Sequence, residues 1–201
     1  MMSSIIDAAN SRRTVLLVGT CKYELIGFES LLVECNFIVE KAMELDNNLC
    51  QRFDMVVIAL SSEPLLKWGR FISVIESYHQ VSPTRLIIFA PKKICDLKLL
   101  TPIALTFNGR EKLPYLKNLI TLLSKDNPCR SIKVKGLSAI QRRELVRLKL
   151  MASGYVKHRI KQTKLTYYHR SRIAGLLGVD NLHVLFVAGV LFEDMSILLN
   201  N

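Results

Sequence analysis

The chain has 201 residues, half of them hydrophobic, and a formal net charge of +11. This length fits one large domain or two small ones, and the apolar content excludes an intrinsically disordered chain. The five cysteines are odd in number, form no C-x-x-C pair and follow no secretory signal, which indicates reduced thiols; without Cys or His at ligand spacing, a metal site is disfavoured.

The predicted elements of the first 123 residues alternate between apolar strands and amphipathic helices. Short apolar or β-branched runs predict strands, and apolar residues three and four apart predict helices. The predicted strands are 14–19, 37–42, 54–60, 85–90 and 103–107. The predicted helices are 23–34, 45–52, 65–78, 92–100 and 114–123. This β-α alternation predicts a doubly wound α/β domain, in which helices cover both faces of a parallel five-stranded sheet of flavodoxin-like order.

The segment 124–136 is polar and basic and contains Pro128 and Gly136, which is typical of a linker. After it the pattern is helical only. Ser138 and Gln141 have the spacing of a capping box at the start of a helix, and glycines at 154 and 178 mark two helix ends. The sequence therefore predicts an α/β domain over 1–123, a linker over 124–136 and an all-α domain over 137–201. The later helices are expected at about 155–162, 163–177 and 181–192.

The positive charge is confined to one quarter of the chain. Residues 130–180 contain 13 Lys or Arg and two acids, whereas the other 150 residues contain 15 basic and 15 acidic side chains. A positive field of this kind attracts polyanions, and a plain surface of mixed charges is the less favoured alternative. The N-terminus has no signal-peptide pattern, and the apolar run 182–192 is too short to span a bilayer. These features predict a cytoplasmic protein without a membrane partner.

Three segments of the helical half resemble one family. The residues 137–154 (LSAIQ and then LKLMASG), 163–179 (TKLTYYHRSRIAGLLGV) and 180–185 (DNLHVL) are similar to the DNA-binding domain of LuxR/NarL-type regulators. The stretch HRSRIAGLLGV is the most specific part of the resemblance, which implies a helix-turn-helix with its recognition helix at 163–177.

The resemblance implies contacts with double-stranded DNA from the recognition helix and from the helix that opens the domain. A recognition helix reads base edges in the major groove, while basic side chains hold phosphates. The implied DNA-binding residues are Lys164, Tyr167, Tyr168, His169, Arg170, Ser171, Arg172, Arg142 and Arg143. Two alternatives stay open from the residues alone: the tyrosines could pack on the first helix, and His169 could have a core or capping role.

The first half resembles a receiver domain whose chemistry is missing. Phosphoryl transfer to aspartate needs a carboxylate nucleophile and an acidic Mg²⁺ site. Here Ala59 occupies the expected phosphoacceptor position, the first strand ends without an acidic pair, and Ala90 and Asn108 replace the usual Ser or Thr and Lys. Asp54 opens its strand at the opposite edge, so it is not a candidate nucleophile. These losses predict a pseudo-receiver with no phosphoacceptor, metal or cofactor.

The combined layout is similar to that of Rcs-type auxiliary regulators. It implies a phosphorylation-independent transcription regulator that acts as a homodimer or as a heterodimer with a response regulator. The alternative is an interaction adaptor that does not bind DNA, in which an apolar stripe of the last helix serves a partner. An enzyme is disfavoured, because the sequence lacks a P-loop, G-x-G-x-x-G, H-E-x-x-H and G-x-S-x-G.

Overall fold

Five parallel strands form one sheet in the computed structural model, which describes residues 13–45, 52–66, 68–81, 84–124, 138–152 and 163–190. The strands are β1 (Thr14–Gly19), β2 (Ile38–Ala42), β3 (Met55–Ala59), β4 (Arg85–Ala90) and β5 (Leu105–Asn108). The helices within these ranges are α1 (Lys22–Glu34), α2 (Trp68–Val81), α3 (Leu113–Ser124), α4 (Ala139–Ala152), α5 (Lys164–Leu177) and α6 (Leu182–Val187).

The strand order is β2-β1-β3-β4-β5, and every neighbouring pair is parallel. Gly19 pairs with Ala59, and Ala90 pairs with Asn108, so the carboxyl ends of the strands meet at one edge. A parallel sheet of this order with flanking helices confirms the predicted doubly wound architecture and fits a receiver-like α/β domain.

The central strands are apolar on both faces because helices cover both sides of the sheet. All residues of β3 are buried, as are all but the first of β1 and β4. The edge strand β2 is mostly exposed and carries Glu40 and Lys41. This contrast is what the burial of a parallel sheet requires, since only a central strand loses contact with water on both faces.

Two hydrophobic clusters lie on opposite faces of the sheet. On one face, α1 and α3 pack Leu25, Phe28, Leu116 and Ile120 against the strands. On the other face, α2 contributes Ile72, Ile75 and Tyr78. The same second cluster continues into the C-terminal helices through Leu145 and Leu148 of α4, Ile173 and Leu177 of α5, and Leu185 of α6. The C-terminal helices therefore share a core with the α/β half.

The connection between β4 and β5 differs from the prediction. A helix was expected over 92–100, but the structure shows consecutive turns, in which Leu97 and Leu100 donate to carbonyls three residues earlier. Ile94, Leu97 and Leu100 are buried as a helix would bury them. The prediction is wrong because the N–H of Lys98, which an α-helix would use internally, bonds to Leu177 instead.

The other predicted helices are confirmed, shifted or outside the described residues. The helix expected over 65–78 is Trp68–Val81, and the one expected over 181–192 is Leu182–Val187, followed by a turn in which Gly189 has a φ of +74°. The helix predicted over 155–162 and nearly all of the one over 45–52 lie outside the described residues, as does the linker apart from Ser124. In the described ranges, every helix is too short or too polar to span a bilayer.

Candidate nucleic-acid interface

The helix α5 is fixed at both ends by local sequence. Thr163 caps its N-terminus, accepting a hydrogen bond of 3.2 Å from the N–H of Thr166. Gly178 ends it in the left-handed conformation, with a φ of +74°, which glycine adopts without a steric penalty. These caps set the length of the helix at Lys164–Leu177, close to the predicted recognition helix.

One face of α5 is buried against the rest of the chain. Ile173, Ala174 and Leu177 are buried in the shared core, where Leu145 and Leu148 of α4 also lie. The prediction that Ile173 and Leu177 face the core is therefore confirmed. Since α4 holds this side, the opposite side of α5 faces solvent.

The exposed face of α5 combines basic, aromatic and hydroxyl side chains. Tyr167 and Tyr168 are 75% and 51% exposed, and the structure also exposes Lys164, Ser171 and Arg172. At 100° per residue these five positions fall within one half of the helix circumference. The sequence of the helix contains no Asp or Glu. The face thus presents donors and aromatic rings without a competing negative charge.

Tyr168 and Arg172 form a pair one turn apart on this face. The guanidinium Nη1 of Arg172 donates to the hydroxyl of Tyr168 at 2.9 Å, and its carbon lies 5.7 Å from the ring centroid. The ring of His169 packs edge-on against Tyr168 at 5.6 Å, and His169 is half-buried. The pair restricts the guanidinium to the outer surface of α5, where a phosphate can be reached. The exposure of Tyr167 and Tyr168 places at least half of each side chain in contact with solvent.

Among the predicted contacts, Arg170 forms an ion pair with a carboxylate of another helix. Its Nε donates to Oε1 of Glu144 at 2.8 Å, and the two side chains are only 20% and 11% exposed. Arg147 lies 3.6 Å from the other oxygen of the same carboxylate. The structure therefore places Arg170 at the contact between α4 and α5, at the border of the exposed face.

The two predicted contacts on α4 differ in their exposure to solvent. Arg143 is exposed, whereas Arg142 is half-buried. The capping box that starts this helix is confirmed: the N–H of Ser138 donates to the amide oxygen of Gln141 at 2.8 Å, and the N–H of Gln141 donates back to the hydroxyl of Ser138 at 3.4 Å. The capping box fixes the start of α4, from which the two arginines project.

The C-terminal end of α5 is held by the β4–β5 connection. The N–H of Lys98 donates to the carbonyl of Leu177 at 2.9 Å, and its Nζ donates to the carbonyl of Gly175 at 3.2 Å. A further bond of 2.7 Å joins the N–H of Gly69 to the carbonyl of Ala188. The two bonds from Lys98 anchor the C-terminal end of α5, and the third holds the C-cap of α6 against the start of α2.

The carboxyl edge of the sheet carries the residues that the sequence places there. Ala59 ends β3 and is fully buried in the cluster under α1, while Ala90 and Asn108 end β4 and β5. Asp54 precedes β3 at the opposite edge, where its carboxylate accepts from the N–H of Thr14 at 2.7 Å. The strand ends thus have the predicted positions. Within the described ranges, His, Cys, Asp and Glu do not gather into a group that could hold a metal.

Sequence reasoning missed one residue at this edge. Glu24, in the first turn of α1, accepts hydrogen bonds from Ser61 and Ser62, which follow β3. The position of Glu24 in the first turn of a helix is only a weak signal, because acids are common there as a complement to the helix dipole. Its partners lie 37 and 38 positions further along the chain.

Two thiols near the strand ends have opposite pKa shifts. The backbone N–H of Glu24 and then the hydroxyl of Ser62 stabilise the thiolate of Cys21 and lower its pKa. Burial, with the nearby Asp96 carboxylate, raises the pKa of Cys95 to about 11. The two cysteines therefore differ in nucleophilicity, since the thiolate is the reactive form.

Comparisons with known proteins find similarity among solved structures. No family model matches the chain, and no curated protein matches it significantly. The chain is similar to full-length FixJ from B. japonicum in its crystal structure, at 15% identity, with a TM-score of 0.42, over 90% of this chain and 98% of that one. The functional conclusion is accordingly drawn from the residues of this chain.

Proposed function

We propose that the protein is a DNA-binding transcription regulator that acts without phosphorylation of an aspartate, as a homodimer or as a heterodimer with a response regulator. We also infer that its C-terminal helices form a helix-turn-helix of the LuxR type, with α5 as the recognition helix. The single observation that carries the proposal is the exposed face of α5, which combines Lys164 and Arg172 with Tyr167, Tyr168 and Ser171.

This face has the chemistry that duplex DNA requires. Lysine and arginine bind phosphate oxygens and guanine, tyrosine donates to phosphate or packs on a thymine methyl, and serine bonds to bases or phosphates. The burial of Ile173, Ala174 and Leu177 gives the helix a rigid support. A helix of 14 residues, about 21 Å long, is sufficient to lie across a major groove.

Independence from phosphorylation is inferred from the carboxyl edge of the sheet. Ala59 cannot accept a phosphoryl group, and Glu24 is already bonded to Ser61 and Ser62. Aspartyl phosphorylation at the end of β3 would need a carboxylate nucleophile, which Ala59 does not supply. We therefore expect no labelling of the protein by acetyl phosphate.

The adaptor alternative loses support from the burial of the last helix. The apolar stripe assigned to a partner comprises Leu182, Leu185, Phe186, Gly189 and Val190. Leu182, Leu185 and Val190 are buried within the chain, and Phe186 packs against the shared core. The stripe thus contributes to the core within the chain, and a partner could reach it only by displacing intramolecular contacts.

Selection of duplexes from a random DNA pool by the full-length protein tests the proposal. We expect an enriched motif, with a two-fold repeat if the protein binds as a homodimer. The affinity for the motif should fall steeply with salt, because each phosphate that is neutralised adds about 0.9 to the log–log slope. Salt-sensitive binding without a motif would assign specificity to a partner, and absence of binding at low salt would refute the proposal.

A further inference from the structure

The loop after β3 holds a carboxylate with two consecutive residues. The N–H of Ser61 donates to Oε1 of Glu24 at 2.8 Å, and the N–H of Ser62 donates to Oε2 at 3.1 Å. The hydroxyl of Ser61 donates to Oε1 at 2.5 Å, and that of Ser62 donates to Oε2. Each oxygen of one carboxylate is therefore bound by one backbone and one hydroxyl donor.

The loop that donates these bonds is itself fixed from the side of β5. Ser61 is buried, and a Cβ on Gly109 would lie 2.5 Å from its Cβ, so the two loops meet at a distance that only glycine allows. The Nε of Arg110 donates to the carbonyl of Ser61 at 3.0 Å. The guanidinium of Arg110 thus adds a positive charge near Ser61 and Ser62, and it leaves their N–H and hydroxyl donors available because it binds a carbonyl oxygen.

Glu24 belongs to a third segment, the start of α1, which follows β1. In the same segment after β1, the hydroxyl of Thr20 donates to Glu63 of the β3 loop. The segments after β1, β3 and β5 are thereby joined at the carboxyl edge of the sheet. Ligand sites in open parallel sheets lie at this edge, outside the carboxyl ends of the strands.

We propose that Ser61 and Ser62 form an oxyanion-binding site that the chain fills with its own carboxylate, that of Glu24. Two consecutive N–H groups with two hydroxyls make a concave set of donors that suits any small oxyanion, and the half-buried Glu24 occupies it permanently. The three loops consequently keep one arrangement without an external anion. This inference does not depend on DNA binding.

Glu24→Ala in the full-length chain tests the site. Loss of charge-assisted hydrogen bonds should lower the midpoint of thermal unfolding by roughly 5 °C or more. The vacated donors should then take inorganic phosphate, so that phosphate on the order of tens of millimolar raises the midpoint of this variant by about 3 °C more than that of the natural chain, at constant ionic strength. Acetate should act in the same direction if the site prefers a planar carboxylate.

Glu29→Ala is the matched control, because Glu29 lies on the same helix but pairs with Lys41 at 2.7 Å. It retains the Glu24 carboxylate and has the same net charge as Glu24→Ala, so it corrects for phosphate bound to the basic C-terminal helices. An equal phosphate response in both variants would overturn the proposal, as would a midpoint of Glu24→Ala within about 1 °C of the natural chain.

Should Glu24→Ala fail to fold, Glu24→Gln provides the second measurement. Its amide keeps one acceptor oxygen and the shape of the side chain but lacks the charge. Hydrogen exchange at the Ser61 and Ser62 amides should then be faster than in the natural chain, whereas exchange at the amides of β3 should change less. Unchanged exchange at these two amides would show that the carboxylate does not hold the loop.

Discussion

The N–H of Lys98 donates a hydrogen bond of 2.9 Å to the carbonyl of Leu177, the last residue of α5. The next residue, Gly178, contacts the same connection: a Cβ there would lie 1.9 Å from the carbonyl oxygen of Asp96. The end of the candidate recognition helix is therefore packed on the backbone of the α/β half. A side chain at position 178 would force the two segments apart.

Gly178→Ala should destabilise the protein more than a left-handed alanine alone can explain. The positive φ costs about 1–2 kcal/mol for a residue with a Cβ, and the contact with Asp96 should add roughly 1–3 kcal/mol. Gly189→Ala is the control, because Gly189 has the same φ of +74° but nothing within 4 Å of its added Cβ. Equal losses of stability in chemical denaturation would contradict the packing of Gly178 on Asp96.

The ion pair of Arg170 with Glu144 predicts a structural effect for a residue expected to bind DNA. Arg170→Ala should cost about 1–3 kcal/mol of unfolding free energy, since it leaves a poorly hydrated carboxylate that Arg147 can compensate only in part. Lys41→Ala removes an exposed ion pair and should cost less than about 1 kcal/mol. A double-mutant cycle of Arg170→Ala with Glu144→Ala measures the coupling, and a coupling near zero would show that the pair does not join α4 to α5.

The sequence predictions succeed where local residues decide the structure, and they fail where a partner distant along the chain decides it. The bounds of β1 and β4 could be predicted to the residue, because a central strand is marked by its own apolar run. The ends of α5 followed from Thr163 and Gly178, which act locally. The segment 92–100 was assigned wrongly because its outcome depends on Lys98 finding a partner nearly 80 residues away. The interaction of Glu24 with Ser61 was missed for the same reason.

The candidate site shows the same division. The exposure of Lys164, Tyr167 and Tyr168 follows from helical periodicity once Ile173 and Leu177 are assigned to the core. The ion pair of Arg170 with Glu144 does not follow from periodicity, because an arginine on the border of a helix face can turn to either side. Charge and spacing therefore predict a surface, whereas the three-dimensional contacts decide which members of it are available to a ligand.

The two shifted thiols predict a selective alkylation pattern. The lowered pKa of Cys21 gives more thiolate near neutral pH, whereas Cys95, with a pKa of about 11, remains protonated until the solution is strongly alkaline. At about pH 8, iodoacetamide should modify Cys21 at least about tenfold faster than Cys95, because the larger thiolate fraction outweighs the lower intrinsic nucleophilicity of a thiolate with a lower pKa. Peptide mapping by mass spectrometry follows both sites in one sample.

The pH profile and one variant distinguish control of the alkylation rates by thiol pKa from control by solvent accessibility. The rate at Cys95 should rise about tenfold per pH unit up to about pH 11, whereas the rate at Cys21 should level off at lower pH. Ser62→Ala removes a hydroxyl that Cys21 shares with Glu24 and that lowers the pKa of Cys21, so it should slow alkylation of Cys21 near neutral pH. Parallel pH profiles at the two cysteines would show that exposure alone controls the rates.

Lys164 is predicted to contribute one phosphate or guanine contact at the start of α5. Lys164→Ala should weaken binding to the selected duplex about threefold to tenfold at low salt, and it should reduce the log–log salt slope by about 0.9 if its partner is a phosphate. The side chain is exposed, so the unfolding midpoint should not change. Affinity measured across a salt series therefore reports the contact directly.

Lys112→Ala is the matched control for this variant. Lys112 is an exposed lysine of the α/β half, just before α3, and its loss changes the net charge by the same amount. If binding depends on the local field of α5, only Lys164→Ala should change the slope, because exposed charges further apart than a Debye length of about 8–10 Å are largely screened. Equal effects of the two substitutions would indicate attraction by net charge alone and would exclude α5 as the helix that enters the groove.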